Sequence, residues 1–152
     1  MSMKRFGAGA AALTAALLIG STSYSVAADE AVAISGDIAK VSIHEDAGFA
    51  RFKMFGYEAG EAKFLVNDDK LGMYVGVFRS NQPFPADNKW ELNVNEYLTV
   101  VEGAIKVDFL NNGRTITIQA GEMAYLPAGS VLRLTLLKLP YAESFVMMVP
   151  KS

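Results

Sequence analysis

EYLTVVEGAIKVDF (96–109), a tight turn, and then AGEMAYLPAGSVLRL (120–134) decide the fold of this 152-residue chain. The first stretch is rich in Val, Ile, Leu, Tyr and Phe, and LNNGR (110–114) carries Asn-Asn-Gly, where φ > 0 is cheap and a hairpin closes readily. In RTITIQA (114–120), Ile116 and Ile118 share one face while Thr115, Thr117 and Gln119 share the other. In VLRLTLLK (131–138), Leu132, Leu134 and Leu136 alternate with Arg133 and Thr135. Working outward, AKFLV (62–66), LGMYVGVFRS (71–80), MAYLP (123–127) and SFVMMVP (144–150) read as further short strands, separated by turn signals at regular intervals. VNDDKLG (66–72) reads as a turn and NQPFPADNK (81–89) as the one long loop; no helix or internal repeat is expected after residue 29. The expectation is a single all-β domain.

The first residues are of another kind. Lys4 and Arg5 precede FGAGAAALTAALLIG (6–20), and STSYSVAADE (21–30) places small residues around Val26, Ala27 and Ala28. That order is the one of a secretory signal peptide, with cleavage after Ala27 or Ala28. The apolar run is short and rich in Ala and Gly for a spanning helix, which needs roughly 20 apolar residues. The domains expected are thus a signal peptide at 1–28 and a β-domain at 29–150, periplasmic or secreted, with no membrane span once the leader is removed. Loss of Lys4 and Arg5 leaves 12 basic against 16 acidic residues, a net charge of −4. A mildly acidic domain without basic clusters is a poor nucleic-acid binder. The absence of cysteine excludes disulfides, thiol catalysis and Cys-ligated zinc or iron–sulfur sites.

Two motifs in order carry a resemblance. Glu96 and Gly103 stand as E-x6-G; Gly121, Pro127 and Gly129 stand as G-x5-P-x-G; seventeen residues separate Gly103 from Gly121. With the hairpin between them, these motifs resemble those of the cupins, so the fold implied is a single cupin-type jelly-roll β-barrel. The glycines are expected where the chain turns out of one strand and into the next. WELNVNEYLTVVEG (90–103) and AGEMAYLPAGS (120–130) are more closely similar to the cupin_3 group, the ethanolamine-utilisation EutQ type, over roughly residues 70–150.

The metal ligands that such barrels commonly use are missing. The first-motif histidines would fall at Trp90 and Leu92, or at Lys89 and Glu91, and the second-motif histidine at Leu132. Indole and isobutyl groups offer no lone pair to a metal. The one histidine, His44, stands far upstream, where an exposed or satisfied ring is expected. Glu91, Asn93, Asn95 and Glu96 could supply oxygens to calcium, but no loop signature supports it. No metal and no cofactor are therefore expected.

Glu96 is the candidate catalytic residue, since a carboxyl in an apolar lumen has a raised pKa and can serve as acid, base or anchor. Its bland counterpart is a structural carboxylate paired with Lys89, Arg133 or a tyrosine hydroxyl. Candidate ligand-binding residues are Trp90, Leu92, Glu96, Tyr125 and Leu132, with parity leaving the face of Tyr125 open. The function expected is an exported, metal-independent cupin holding a small molecule in an apolar lumen; the alternative is a metal-independent isomerase, epimerase or lyase using Glu96 as acid/base. The resemblance also implies ethanolamine catabolism and acetate-kinase activity, but no Gly-rich phosphate loop is present and ATP is scarce outside the cytoplasm. Cupins commonly pair through their sheets, so a homodimer is the expected assembly.

Overall fold

The alternating segments become strands in a computed structural model, which describes the backbone of residues 14–19, 22–27, 40–54 and 56–150 and the side chains of the last two stretches. In chain order they are β1 (Thr14–Ile19), β2 (Thr22–Ala27), β3 (Ala50–Met54), β4 (Tyr57–Asp68), β5 (Met73–Ser80), β6 (Trp90–Glu91), β7 (Asn95–Phe109), β8 (Arg114–Gln119), β9 (Met123–Leu126) and β10 (Val131–Met148). The strand order is β1-β2-β3-β4-β5-β10-β7-β8, with β6 paired to β10 and β9 to β7. Every pairing is antiparallel. No helix occurs among the described residues, so none there is long and apolar enough to cross a membrane. The all-β reading holds.

Two strands are far longer than the sequence suggests, and they pair with each other along most of their length. VLRLTLLK and SFVMMVP were expected to be separate; they are the two halves of the 18-residue β10, running through Pro140. Proline within a strand is tolerated at bulges, where no ladder N–H is needed. The β7–β10 ladder shifts register between Leu136 and Lys138, between Lys138 and Ala142, and again at Glu143. Inward-facing positions of β10 change there from Leu132, Leu134 and Leu136 to Tyr141, Phe145 and Met147, all buried. On β7 the buried set changes likewise, from Glu96, Leu98 and Val100 to Ile105, Val107 and Phe109. Bulges bend strands and increase their twist. Both strands exchange their inward face at the same level.

Gly103 sits at that bend. It lies inside β7, which corrects the expectation that it ends a strand. Its φ is +81°, and a Cβ there would lie 2.5 Å from the Lys138 carbonyl oxygen and 2.6 Å from that of Pro140. Gly121 does occupy the β8–β9 turn, with φ +89° and nothing within 4 Å of an added Cβ.

The N-terminal side is loosely joined. β1 and β2 pair along their length, but β2 meets β3 through Val26 and Phe52 alone. Both strands fall within the expected leader; residue 28, the end of that leader, lies outside the described residues. Residues 40–49 cross the outer face of β4 and β5 as irregular chain. They are held by Arg79 to Asp46 (3.0 Å) and by Lys63 Nζ to the Ala47 carbonyl (2.8 Å). Arg79 also bonds Glu61 at 2.7 Å and lies 4.0 Å above the Phe49 ring.

Candidate functional site

Glu96 opens β7 on its inward face, between strand neighbours β9 and β10, opposite Leu126 and Met147. Its flanking residues Asn95 and Tyr97 point outward, so the two-residue period turns the carboxyl into the interior. The residue is 2% exposed. None of the partners that would make it merely structural reaches it. Lys89 bonds Glu91 at 2.9 Å, Arg133 is exposed, and the buried tyrosine hydroxyl, Tyr141, donates to Glu143. No hydrogen bond to the Glu96 carboxyl is found among the described residues.

Glu143 is the group the sequence reading missed. It faces inward from β10, with Val100 of β7 and Phe78 of β5 opposite it, both buried. Tyr141 lies two residues earlier on the same face, 1% exposed, its ring 6.4 Å from that of Phe78. Glu143 keeps partial exposure although Phe78 and Val100, its cross-strand neighbours, are buried. The signal was present in PYAESFVMM (140–148), where Tyr141, Glu143, Phe145 and Met147 alternate. It is hidden because Pro140 and the bulge reset the phase relative to Leu132–Leu136.

The two carboxyls shape each other. Burial pushes Glu96 well above the ordinary carboxylate range, and the nearby Glu143 charge pushes it further. Glu143 is pushed up to about 7 by burial, against the opposing effect of the hydrogen bond donated by Tyr141. The Tyr141 hydroxyl is raised by burial, by the charge and hydrogen bond of Glu143, and by the charge of Glu96. Two acids and a phenol thus share a poorly solvated space, and the pair titrates as a unit rather than as two independent groups. At neutral pH it holds protons that exposed carboxyls would have lost.

The walls are apolar and largely aromatic. Phe78 packs edge-on against Phe52 (5.8 Å between centroids) and lies 6.3 Å from Phe84; Phe84 in turn meets Tyr57 at 6.5 Å. Trp90, Leu92 and Leu132 belong to the same buried cluster, with Leu92 and Leu132 fully inaccessible. Trp90 pairs with Leu132 across β6 and β10, and Leu92 exchanges backbone hydrogen bonds with Ser130 and Gly129. The Asn88 side chain staples the 81–89 loop beside them, accepting from the Leu134 N–H at 2.9 Å and donating to its carbonyl at 2.8 Å.

Tyr125 does not join them, which corrects its inclusion among the lumen candidates. It is 49% exposed on the outer face, stacked 4.9 Å from Tyr97, with its hydroxyl donating to Asn95 Oδ1 at 2.9 Å. β9 places Leu126 inward, and parity sends Tyr125 out. His44 is exposed and lines a polar cleft of about 340 Å³ with Asp46, Glu61, Arg79 and Glu102, whose wall also includes Tyr141.

The donor set does not fit a metal of the kind cupin barrels commonly hold. Trp90, Leu92 and Leu132 stand where imidazoles would, and the alternative pair, Lys89 and Glu91, is exposed and joined in an ion pair at 2.9 Å. Among the described residues no group of three or more His, Asp or Glu side chains converges. The interior offers two carboxyls and a phenol to whatever enters it.

Comparison with known proteins agrees on the architecture. Residues 82–139 match the family model described as the EutQ-like cupin domain. No curated protein matches the chain. Among solved structures, one from Salmonella typhimurium LT2 described as ethanolamine utilization protein Q is 19% identical, spans 87% of this chain and 100% of its own, and superposes with a TM-score of 0.56. The EutQ protein of Clostridium difficile is 21% identical over 60% of this chain and 63% of its own, with a TM-score of 0.45. Fe(II)-HppE with the alternative substrate (S)-1-HPP is 17% identical over 66% of this chain and 54% of its own, at 0.52. At such identities the likeness is one of fold.

Proposed function

We propose that this chain is an exported cupin-type barrel that binds a small molecule in its interior without a metal, with the Glu96–Glu143 pair as its recognition group. One observation carries the reading: Glu96 is 2% exposed and finds no hydrogen-bond partner among the described residues. A carboxyl enclosed by apolar side chains is costly to ionise, and burial raises that of Glu96 well above the ordinary range. A fold selected for stability alone would place leucine there, as at 92 and 132. The carboxyl is explained by a ligand that completes it.

Native mass spectrometry of protein purified from the exported fraction tests this. The expected result is a co-purifying small molecule that Glu96→Gln releases while the circular dichroism spectrum is unchanged. A stoichiometric transition metal by elemental analysis overturns the metal-free reading. Export itself predicts a mature N-terminus at Ala28 or Asp29, and the expected homodimer predicts a dimer mass in sedimentation at tens of micromolar.

A second reading, a metal-independent isomerase, epimerase or lyase, is favoured by the Glu143 carboxyl standing at about 7. A general acid–base works best with a pKa near the operating pH, and neighbouring carboxyls with displaced pKa values suit it. On that reading Glu96→Gln or Glu143→Gln abolishes turnover of the bound molecule. On the binding reading no turnover is present to abolish.

A further inference from the structure

β7 and β10 show two different outer faces on the two sides of Gly103. Past it, the outward positions carry Lys106 and Asp108 on β7, joined at 3.0 Å, and Arg133 on β10. Before it, the pairing sets the outward residues in rows without charge. One row crosses β9, β7, β10, β5 and β4 through Tyr125, Tyr97, Val146, Val75 and Val66. The rows on either side of it, from β9 or β7 to β5, hold only Met, Thr, Ser, Val and Asn. Charge returns at the margins, with Lys63 and Asp68 on β4 and Glu122 in the turn before β9. Residues 40–49 cover the Arg79 end of this face, where Val77 is buried. The remainder stays open among the described residues: Tyr97 is 40% exposed and Met123, next to it on β9, 71%. An uncharged centre within a charged rim is the anatomy of a protein interface. By strand spacing and rise this patch measures roughly 24 Å by 20 Å, enough for the centre of a contact of standard size, about 800 Å² per partner.

We propose that a second copy of this chain occupies the patch, the two copies meeting face to face about a two-fold axis. The inference rests on the homodimer expected above and adds the surface through which it forms. The charge balance selects this partner. The whole chain carries a net −2, and a net −4 once Lys4 and Arg5 leave with the leader (12 basic against 16 acidic residues), so two copies repel where their charged surfaces approach. At this patch neither copy brings a charge. A foreign partner of opposite charge finds nothing here to pair with, whereas a two-fold contact asks only that the patch match itself. Tyr97 supplies an anchor that is already ordered: its ring stacks on Tyr125 at the end of the row, and the Tyr125 hydroxyl is tied to Asn95 Oδ1. An aromatic side chain held in this way loses little conformational freedom on association.

Sedimentation velocity of the full mature chain at tens of micromolar tests this by placing charges. Val146→Glu puts two unpaired carboxylates, one from each copy, into the contact. It is expected to weaken the dimer by about a hundredfold or more and to give a monomer with an unchanged circular dichroism spectrum. Thr99→Lys, on the adjoining row, is expected to act alike and decides the matter should Val146→Glu not fold. Thr135→Glu adds the same charge on the outer face past Gly103, opposite Lys106, and is expected to leave the dimer intact. A dimer that persists in both Val146→Glu and Thr99→Lys overturns the assignment of this face while the homodimer stands. Equal dissociation of Thr135→Glu overturns it too, because net charge alone would then govern assembly. A wild-type monomer overturns face and homodimer together. In that monomer, a lowered unfolding midpoint for Val146→Glu would assign the patch to residues 29–39 of the same chain.

Discussion

Glu143 and Gly103 show how much single residues decide here. A carboxyl that binds its proton more tightly in the folded chain than in the unfolded one favours the native state fully below its unfolded pKa, and that contribution is lost as pH rises. For Glu143 the window runs from 4.5, the ordinary value, to about 7. Glu143→Gln is therefore expected to stabilise the protein by about 2 kcal/mol at pH 8 and to have almost no effect at pH 4, read from urea unfolding at both values. An unchanged difference across pH would mean that Glu143 is solvated like a surface acid. At Gly103 the limit is steric as well as conformational, because two carbonyl oxygens occupy the space of a Cβ. Gly103→Ala is expected to cost about 3 kcal/mol or more, against about 1 kcal/mol for Gly121→Ala, which has the same sign of φ but open space. Equal losses would reduce Gly103 to an ordinary left-handed position.

At the scale of elements, β7 and β10 carry both the fold and the site, because each exchanges its inward face at the same bend. The switch brings Glu143 onto the inner surface that also carries Glu96; without it, strict alternation from Leu132 would point position 143 outward. β6 and the start of β10 supply the opposite wall, where Leu132 is fully buried against Trp90. Leu132→Ala is expected to cost 2–5 kcal/mol, the usual range for emptying a packed core site. Tyr125→Ala, on the outer face, is expected to cost under about 1 kcal/mol and to leave ligand release unchanged. Reversal of that order in thermal unfolding would relocate the core. The alternation of β8 and of the first half of β10 could be read directly, since a two-residue period needs only local sequence. The union of two segments across Pro140 could not, because a bulge is stabilised by the partner strand that it packs against.

For the whole molecule, the loosest junction is the single paired position between β2 and β3. Removing residues 1–28 is expected to leave the unfolding midpoint of the barrel within about 0.5 kcal/mol of the full chain, as suits a leader that is cut away. A large loss would make β1 and β2 part of the folded domain. The sequence by itself determined the strand class, the two motifs and their spacing, the loss of imidazole donors and the apolar character of the interior. All of these are local in the chain: period, turn chemistry and residue type at counted positions. It also placed Glu96 correctly on an inward strand position. The inward position of Glu143, the engagement of Tyr141, the outward face of Tyr125 and the reason for Gly103 came only with the tertiary structure. Each depends on groups brought together from β5, β7, β9 and β10, and a register shift between distant strands decides which side chains face one another. No local period encodes that shift.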